Sequence, residues 1–102
     1  MTIIRGTTPT LKFTFNTVDV SDITDAVLIV AQGGTTVIQM LKTAATVGAD
    51  YIAWTIAQAD SVKLDPDVPA KIQVNWKLNN GTRGASKAVY ASIADNTFAG
   101  TM

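Results

Sequence analysis

Residues 70–93 constrain the fold more than any other part of the chain, because they have the pattern of a β-hairpin. In the first arm, AKIQVNWKL, apolar residues alternate with polar ones, which is typical of a strand with one buried and one solvent-exposed face. The connection, NNGTRG, supplies Asn79, Asn80 and Gly81, which tolerate a positive φ in tight turns. The second arm is ASKAVYASI. These residues describe a β-scaffold and carry no catalytic motif.

Two further segments alternate in the same way. Phe13 and Phe15 alternate with polar neighbours in LKFTFNT, which predicts a strand with an aromatic inner face. Residues 51–56 repeat the pattern, and residues 2–5 are expected to form a short strand before the break at Pro9.

The middle of the chain adds a second hairpin and a helical turn. Residues 26–32 form a short apolar run rich in β-branched side chains, which predicts a central strand with both faces covered. Gly33 and Gly34 follow this run, and two glycines between β-rich segments indicate a hairpin, with the returning strand over residues 35–42. Helical spacing near residues 58–63 predicts one short helical turn.

The spacing of these elements predicts an all-β fold. Strands recur with turn signals between them, as in a sandwich or barrel rather than in βαβ units. We predict one domain over residues 1–102, an antiparallel β-sandwich of immunoglobulin-like or Greek-key type with about six or seven strands. The expected core residues are Phe13, Phe15, Leu28, Val30, Ile38, Ile52, Trp54, Ile56, Ile72, Val74, Trp76, Val89 and Ile93.

The charge balance and two missing residue types argue against several functions. Eight basic and eight acidic residues give a formal net charge of zero, which disfavours binding to a phosphate backbone. The chain has no Cys and no His, which excludes disulfides, thiolate or imidazole zinc sites and triads with an imidazole base. We therefore predict a protein that is not an enzyme, has no cofactor and binds no nucleic acid.

The hydropathy pattern bears on location. No apolar run approaches the roughly 20 residues of a membrane-spanning helix. Polar residues such as Thr2 and Arg5 stand where a secretory signal would be hydrophobic. We therefore expect no membrane span, and folding in a cytoplasm.

Three groups of residues are candidates for binding. Asp19, Asp22 and Asp25 recur at every third position and offer oxygen ligands to a hard cation. Aspartates are also ordinary turn formers, and the glycine and terminal glutamate of an EF-hand loop are missing, so we predict no metal. Tyr51 and Tyr90 would stack on a sugar if they lay together on one exposed face.

The predicted hairpin supplies the third group. Its solvent-exposed face and its tip carry the candidate contacts with partner subunits, namely Lys71, Lys77, Lys87, Arg83 and Asn80. If these residues are contacts, charge reversal of the lysines should impair assembly more than folding.

Four stretches resemble a known family. They are IIRGTTPTLKFTF at residues 3–15, the AQ-x-G-x-x-VI hairpin at residues 31–38, SVKL at residues 61–64, and IQVNWKLNNGTRGAS at residues 72–86. Together they are similar to small proteins encoded beside phage tail genes and, more loosely, to the amino-terminal domains of phage baseplate upper proteins. The role of the latter family is to attach receptor-binding components to the tail. The similar stretches are mostly strand and turn residues, so no functional residue is carried over.

The resemblance implies a structural subunit of a phage or prophage particle at the tail tip or baseplate, residing in the virion after assembly in the bacterial host cytoplasm. Its expected partners are other phage structural proteins, together with copies of itself in a homo-oligomer or multi-copy assembly. Contacts through β-edges and through extended termini at residues 1–5 and 96–102 are the expected mechanism. Two alternatives stay open. One is a small ligand-binding protein, either a carbohydrate-binding module or an inhibitor that sequesters a host defence molecule, and the other is a head decoration protein.

Overall fold

Nine strands account for most of the chain in a computed structural model that describes residues 1–96. They are β1 Thr2–Ile4, β2 Thr10–Thr14, β3 Ile23–Gln32, β4 Thr35–Leu41, β5 Thr46–Val47, β6 Tyr51–Thr55, β7 Ala70–Leu78, β8 Arg83–Ala85 and β9 Val89–Ala94. One short helix, α1, covers Gln58–Ser61, and single 3-10 turns cover Val20–Asp22 and Lys42–Ala44. The predicted helical turn is therefore confirmed.

The strands form two sheets whose inner faces share one hydrophobic core. The larger sheet has the order β1-β9-β7-β3-β4, with β8 also paired to β7, and the smaller sheet has the order β2-β6-β5. In an immunoglobulin-like sandwich, strands C, F and G lie in one sheet and strands B, E and D in the other. Here β3, β7 and β9 take the first set of places and β2, β6 and β5 the second. The predicted single-domain β-sandwich is confirmed.

The observed strands depart from the sequence prediction in number and in direction. Nine strands are present instead of six or seven, because several of them are only two or three residues long. The sheets are not wholly antiparallel, since β1 runs parallel to β9 with Thr2 opposite Ser92 and Ile4 opposite Ala94. A parallel pair between the two ends of the chain leaves no turn signal in the sequence.

The hairpin at residues 70–93 is present, but its second arm is broken. Its first arm is β7, as predicted, while β8 and β9 are separated at Ser86. The Ser86 backbone N–H donates to the Val74 carbonyl at 2.8 Å, and the Ser86 Oγ accepts from the Val74 N–H at 3.0 Å. The Ser86 hydroxyl oxygen thus accepts the hydrogen bond that a backbone carbonyl would accept in a regular strand pair. This interrupts the second arm between β8 and β9.

Nine of the predicted core residues are buried: Leu28, Val30, Ile38, Ile52, Trp54, Ile56, Ile72, Val74 and Ile93. Phe13, Phe15 and Trp76 are half-buried and pack against this core. Val89 was wrongly assigned to the core, because it begins β9 at the mouth of a groove and is 40% exposed. Buried residues that alternation did not reveal lie mainly in turns and strand ends, among them Ile3, Val20, Ile23, Leu64 and Ser61.

Trp54 joins the two sheets. It lies on β6 in the smaller sheet with no exposed surface, and its indole Nε1–H donates to the Leu41 carbonyl at the end of β4 in the larger sheet, at 3.0 Å. Phe13 packs edge-on against its ring, with 6.0 Å between the ring centroids. One side chain therefore fills the core and fixes the spacing of the layers.

Gln32 fixes the loop that leads into β7. This buried side chain at the end of β3 donates through Nε2 to the carbonyls of Asp65 and Val68, at 2.9 and 2.8 Å. Its Oε1 accepts from the Asp65 backbone N–H at 2.9 Å. The proline-containing loop is thus held by three hydrogen bonds from one amide, all of its polar atoms being used.

The amino-terminal residues lie within the sheet rather than extending from it. β1 is hydrogen-bonded to β9, and the Arg5 guanidinium donates to the Asp95 carboxylate at 3.1 Å and to the Val62 carbonyl at 2.8 Å. Residues 1–5 were expected to reach onto neighbours, and this packing ties them down instead. Of the second predicted extension, residues 97–102 lie outside the described residues.

Candidate interaction surfaces

The outer face of the larger sheet carries a row of apolar side chains on β3. On β3, the side chains of Val27, Ile29 and Ala31 alternate with buried core residues and are half-buried on the opposite face. Residues 26–32 were predicted to be covered on both faces. β3 is central in the larger sheet, between β7 and β4, as predicted. Within residues 1–96 its outward side chains are half-buried rather than buried, because composition alone does not tell whether both faces of a strand are covered by its own chain.

Two of the predicted contact residues meet at one end of this face. Lys77 on β7 lies opposite Asp25 on β3 and opposite Arg83 on β8. The three side chains line an open depression of about 500 Å³, together with Leu41 and Trp76. Lys77 and Arg83 carry like charges on neighbouring strands and would repel each other. The negative charge of Asp25 reduces this repulsion.

Gly84 allows β8 to lie directly on Trp76. A Cβ at this position would stand 2.6 Å from the indole ring, closer than side chains tolerate. Phe15 packs edge-on against the same indole, with centroids 5.2 Å apart. Trp76 is therefore held between a backbone and an aromatic ring on the core side of β7, while Asp25, Lys77 and Arg83 lie on the outer side.

The other predicted contact residues are dispersed. Lys71 is on the same outer face but at the opposite end of β7, where it lies opposite Tyr90. Lys87 lines a different groove of about 680 Å³, between β2 and the larger sheet, with Phe13 and Val89. Asn80 has a local role in the turn, because its Oδ1 accepts from the Thr82 N–H at 2.9 Å. The hairpin lysines thus do not form one patch.

The two tyrosines do not form a shared stacking platform. Tyr51 is on the outer face of the smaller sheet, because its neighbour Ile52 faces the core, whereas Tyr90 is 63% exposed on the outer face of the larger sheet. The Tyr51 ring lies against Gly48 and has the Lys12 Nζ 4.4 Å from its centroid. Tyr51 is therefore engaged locally, and Tyr90 stands apart from it.

The three aspartates do not converge. The Asp19 carboxylate caps the first 3-10 turn, Asp22 accepts from the Asn79 amide at 3.4 Å, and Asp25 faces the depression. Within residues 1–96, no group of three or more carboxylates is placed to hold a metal ion.

Two hydrogen bonds change the titration of the Asp19 carboxyl. Hydrogen bonds from the Ser21 hydroxyl, at 2.8 Å, and from the Ser21 backbone N–H, at 3.0 Å, lower the pKa of Asp19. Because this pKa is lower in the folded chain than in the unfolded chain, ionised Asp19 stabilises the folded state. This contribution is present above the ordinary aspartate pKa and is lost as the pH falls through the lowered value.

We expect Ser21→Ala to raise the pKa of Asp19 toward its ordinary value, since the larger of the two effects comes from the hydroxyl. An NMR titration of the Asp19 carboxyl carbon measures it, with the wild-type chain titrated under the same conditions as the reference. An unchanged Asp19 midpoint in the variant would contradict this origin of the shift.

The edge of β4 is the surface that sequence reasoning missed. This strand is seven residues long, TTVIQML, and carries no charge and no proline; within residues 1–96 it pairs with β3 alone. Lys42 follows it directly, but the Lys42 Nζ donates to the Ile23 carbonyl at 2.7 Å and is held away. The lack of charge and proline in residues 35–41 can be read from the sequence. The position of this strand at an edge follows only from the order of the strands in the sheet.

The other edges are protected, within the part of the chain that the structure describes. β1 and β8 have three residues each and β5 has two, too few to template a long pairing. β2 has five residues with Lys12 at its centre and Pro9 just before it. Short length, charge, proline and β-bulges are the usual devices that keep edge strands from pairing with other chains. β4 has only the last of them, a bulge at Val37, which leaves residues 38–41 as its regular part.

No helix in residues 1–96 is long and apolar enough to cross a membrane. The sequence matches no model of a known protein family, and a comparison with curated proteins also gave no match.

Proposed function

We propose that the protein is a non-catalytic structural subunit of a phage or prophage particle, at the tail tip or baseplate, and that it assembles through a β-edge. The observation that carries the proposal is the position of the uncharged strand β4 at the edge of the larger sheet, among the strands of residues 1–96. The phage setting is supported by the resemblance of residues 3–15, 31–38, 61–64 and 72–86 to proteins encoded beside tail genes and to baseplate upper proteins.

An open edge of this length favours a protein that works in an assembly. Unpaired backbone N–H and C=O groups along an edge are a template for a strand from another chain, and proteins that work alone usually block such edges. Pairing there supplies main-chain hydrogen bonds, while side-chain pockets on either side supply specificity. The half-buried apolar residues on the outer face of β3 adjoin β4 and extend the same surface.

The net charge of zero agrees with this role. A subunit with eight basic and eight acidic residues has little net repulsion to overcome when many copies are brought together. In this proposal the partners are other phage structural proteins and further copies of the chain, and the protein resides in the virion after folding in the host cytoplasm.

Protein mass spectrometry of purified particles tests the proposal. We expect the chain at a fixed ratio to a known tail component, and in isolated tails rather than in heads. Its absence at stoichiometric levels would contradict the structural role, and its recovery with heads would support the head decoration alternative instead.

Ligand binding is the second candidate, favoured by the open depression on the outer face, where Arg83 and Lys77 lie on neighbouring strands beside Asp25. Cationic donors next to a carboxylate acceptor suit a polar or polyhydroxylated ligand. A thermal-shift screen against glycans and nucleotides tests it. A rise in melting temperature that Arg83→Ala abolishes would support it, and no rise across both sets would reject it.

A further inference from the structure

We propose that the depression on the outer face of the larger sheet binds a polyhydroxylated ligand that carries one carboxylate, the chemistry of a sugar acid. The inference rests on the ligand-binding candidate function, which it deepens by naming the class of ligand, and it does not depend on the assembly role. Its basis is the set of charges, hydrogen-bonding groups and apolar side chains that four strands bring together at this place.

Lys77 and Arg83 are two like charges that the fold holds side by side. They lie directly opposite each other on β7 and β8, an arrangement that destabilises a sheet when the charges are alike. Within residues 1–96, neither side chain takes part in an ion pair or a hydrogen bond. Arg83 lies two strands from Asp25, about 10 Å across the sheet at the usual spacing of strands. An anion bound between the two cations would therefore relieve their repulsion.

A β-bulge in β3 brings Asp25 to the same place. Ile23 pairs with β7 and so does Asp25, which leaves Thr24 as an extra residue, and the Thr24 hydroxyl donates to the Lys77 carbonyl at 3.2 Å. Ile23 and Ala26 are both buried, so strict alternation would turn Asp25 inward with Ile23. The extra residue places the carboxylate on the outer face, opposite Lys77, instead.

The other lining groups suit the hydroxyls and the apolar face of a sugar ring. The Asp25 carboxylate can accept hydrogen bonds from hydroxyls, and the Asn75 amide can both donate and accept. Neither side chain has a hydrogen-bond partner within the described chain. Val27 lies between Asn75 and Leu41 on neighbouring strands, so two apolar side chains form the floor. The volume of about 500 Å³ is in the range of small-molecule sites.

The charge of the depression favours a ligand with a single negative charge. Lys77 and Arg83 outweigh Asp25 by one positive charge, which one carboxylate neutralises, and a guanidinium binds a carboxylate through two parallel hydrogen bonds. A phosphate monoester carries about −1.5 to −2 at neutral pH and would leave excess negative charge beside Asp25. We therefore expect a sugar carboxylate to bind more tightly than a sugar phosphate.

NMR titration of the full chain with glucuronate, glucose and glucose 6-phosphate is the test. We expect glucuronate to shift the backbone amide signals of Asn75, Lys77 and Arg83, with a Kd about tenfold lower than that of either other sugar, the effect of one charge-assisted contact. Arg83→Ala should raise the glucuronate Kd about tenfold and remove its preference over glucose. Unchanged signals in the rest of the spectrum show that the variant is folded.

Asp25→Ala separates a sugar-acid site from a site that holds any anion. The variant loses a negative charge, so acetate should bind at least as tightly as it does to the wild type. It also loses an acceptor for hydroxyls, so the advantage of glucuronate over acetate should shrink. Lys71→Ala is the matched control, because Lys71 lies on the same strand and face, six residues or about 20 Å from Lys77. It should leave every Kd unchanged.

Four results would overturn the inference: glucuronate binding no tighter than glucose, glucose 6-phosphate binding more tightly, acetate binding as tightly as glucuronate, or an equal loss in Lys71→Ala. If glucose and glucuronate bind equally and Arg83→Ala weakens both, the class of ligand is wrong and the ligand-binding candidate stands. If no sugar shifts these signals, the inference fails. None of these results bears on the assembly role, which mass spectrometry of particles tests separately.

Discussion

Replacing Trp54 by alanine is expected to lower the free energy of unfolding by about 3–5 kcal/mol. The side chain has no exposed surface, packs against Phe13, and donates from the smaller sheet to the Leu41 carbonyl in the larger one. Its removal therefore leaves a cavity between the layers and breaks a hydrogen bond that joins them. A domain of this size has a total stability of about 5–15 kcal/mol, so the loss is a large fraction of it.

Urea unfolding followed by circular dichroism measures this change without relying on the removed chromophore. Trp76→Ala is the comparison, because Trp76 is only half-buried and is expected to cost less. Trp54→Phe keeps most of the packing and removes the indole donor, so we expect an intermediate loss. A Trp54→Ala loss no larger than that of Trp76→Ala would contradict the central place of Trp54 between the sheets.

Replacing Gln32 by leucine is expected to lower the free energy of unfolding by about 2 kcal/mol or more, since each buried polar group left without a partner costs about 1–3 kcal/mol. The Gln32 amide binds the carbonyls of Asp65 and Val68 and the N–H of Asp65, and leucine can replace none of these bonds. The loop into β7 should also lose protection against amide hydrogen exchange at Asp65.

Gln39→Leu is the matched control, because Gln39 lies on the next strand but is exposed. It should change stability by no more than about 0.5 kcal/mol. If the two leucine variants unfold at the same urea concentration, the three hydrogen bonds of Gln32 do not hold the loop.

Local pattern was sufficient for the strands and for most of the core. The strands β6 and β7 were predicted correctly from alternation, because successive residues of a strand point to opposite faces. The hairpin between β3 and β4 was predicted from its two glycines, which have φ of 57° and 82°. Contacts between distant parts of the chain were not predictable. Gln32 is an ordinary amide in the sequence, and its role comes from a loop 33 residues away.

The candidate surface shows the same division. That residues 35–41 form a strand follows from composition, but that this strand lies unpaired at an edge depends on the order of all the strands in the sheet. The hairpin lysines share one exposed face in the simple alternating pattern. The break at Ser86 sends Lys87 into a different groove, because a side-chain hydrogen bond to Val74 interrupts the strand.

Cryo-electron microscopy of the intact particle shows the edge of β4 in its assembled state and so tests assembly through this edge. We expect residues of β4 to be hydrogen-bonded to a strand of a neighbouring subunit, with the larger sheet continuing across the contact. A particle in which the chain is present but β4 faces solvent, with its contacts made elsewhere, would contradict assembly through this edge.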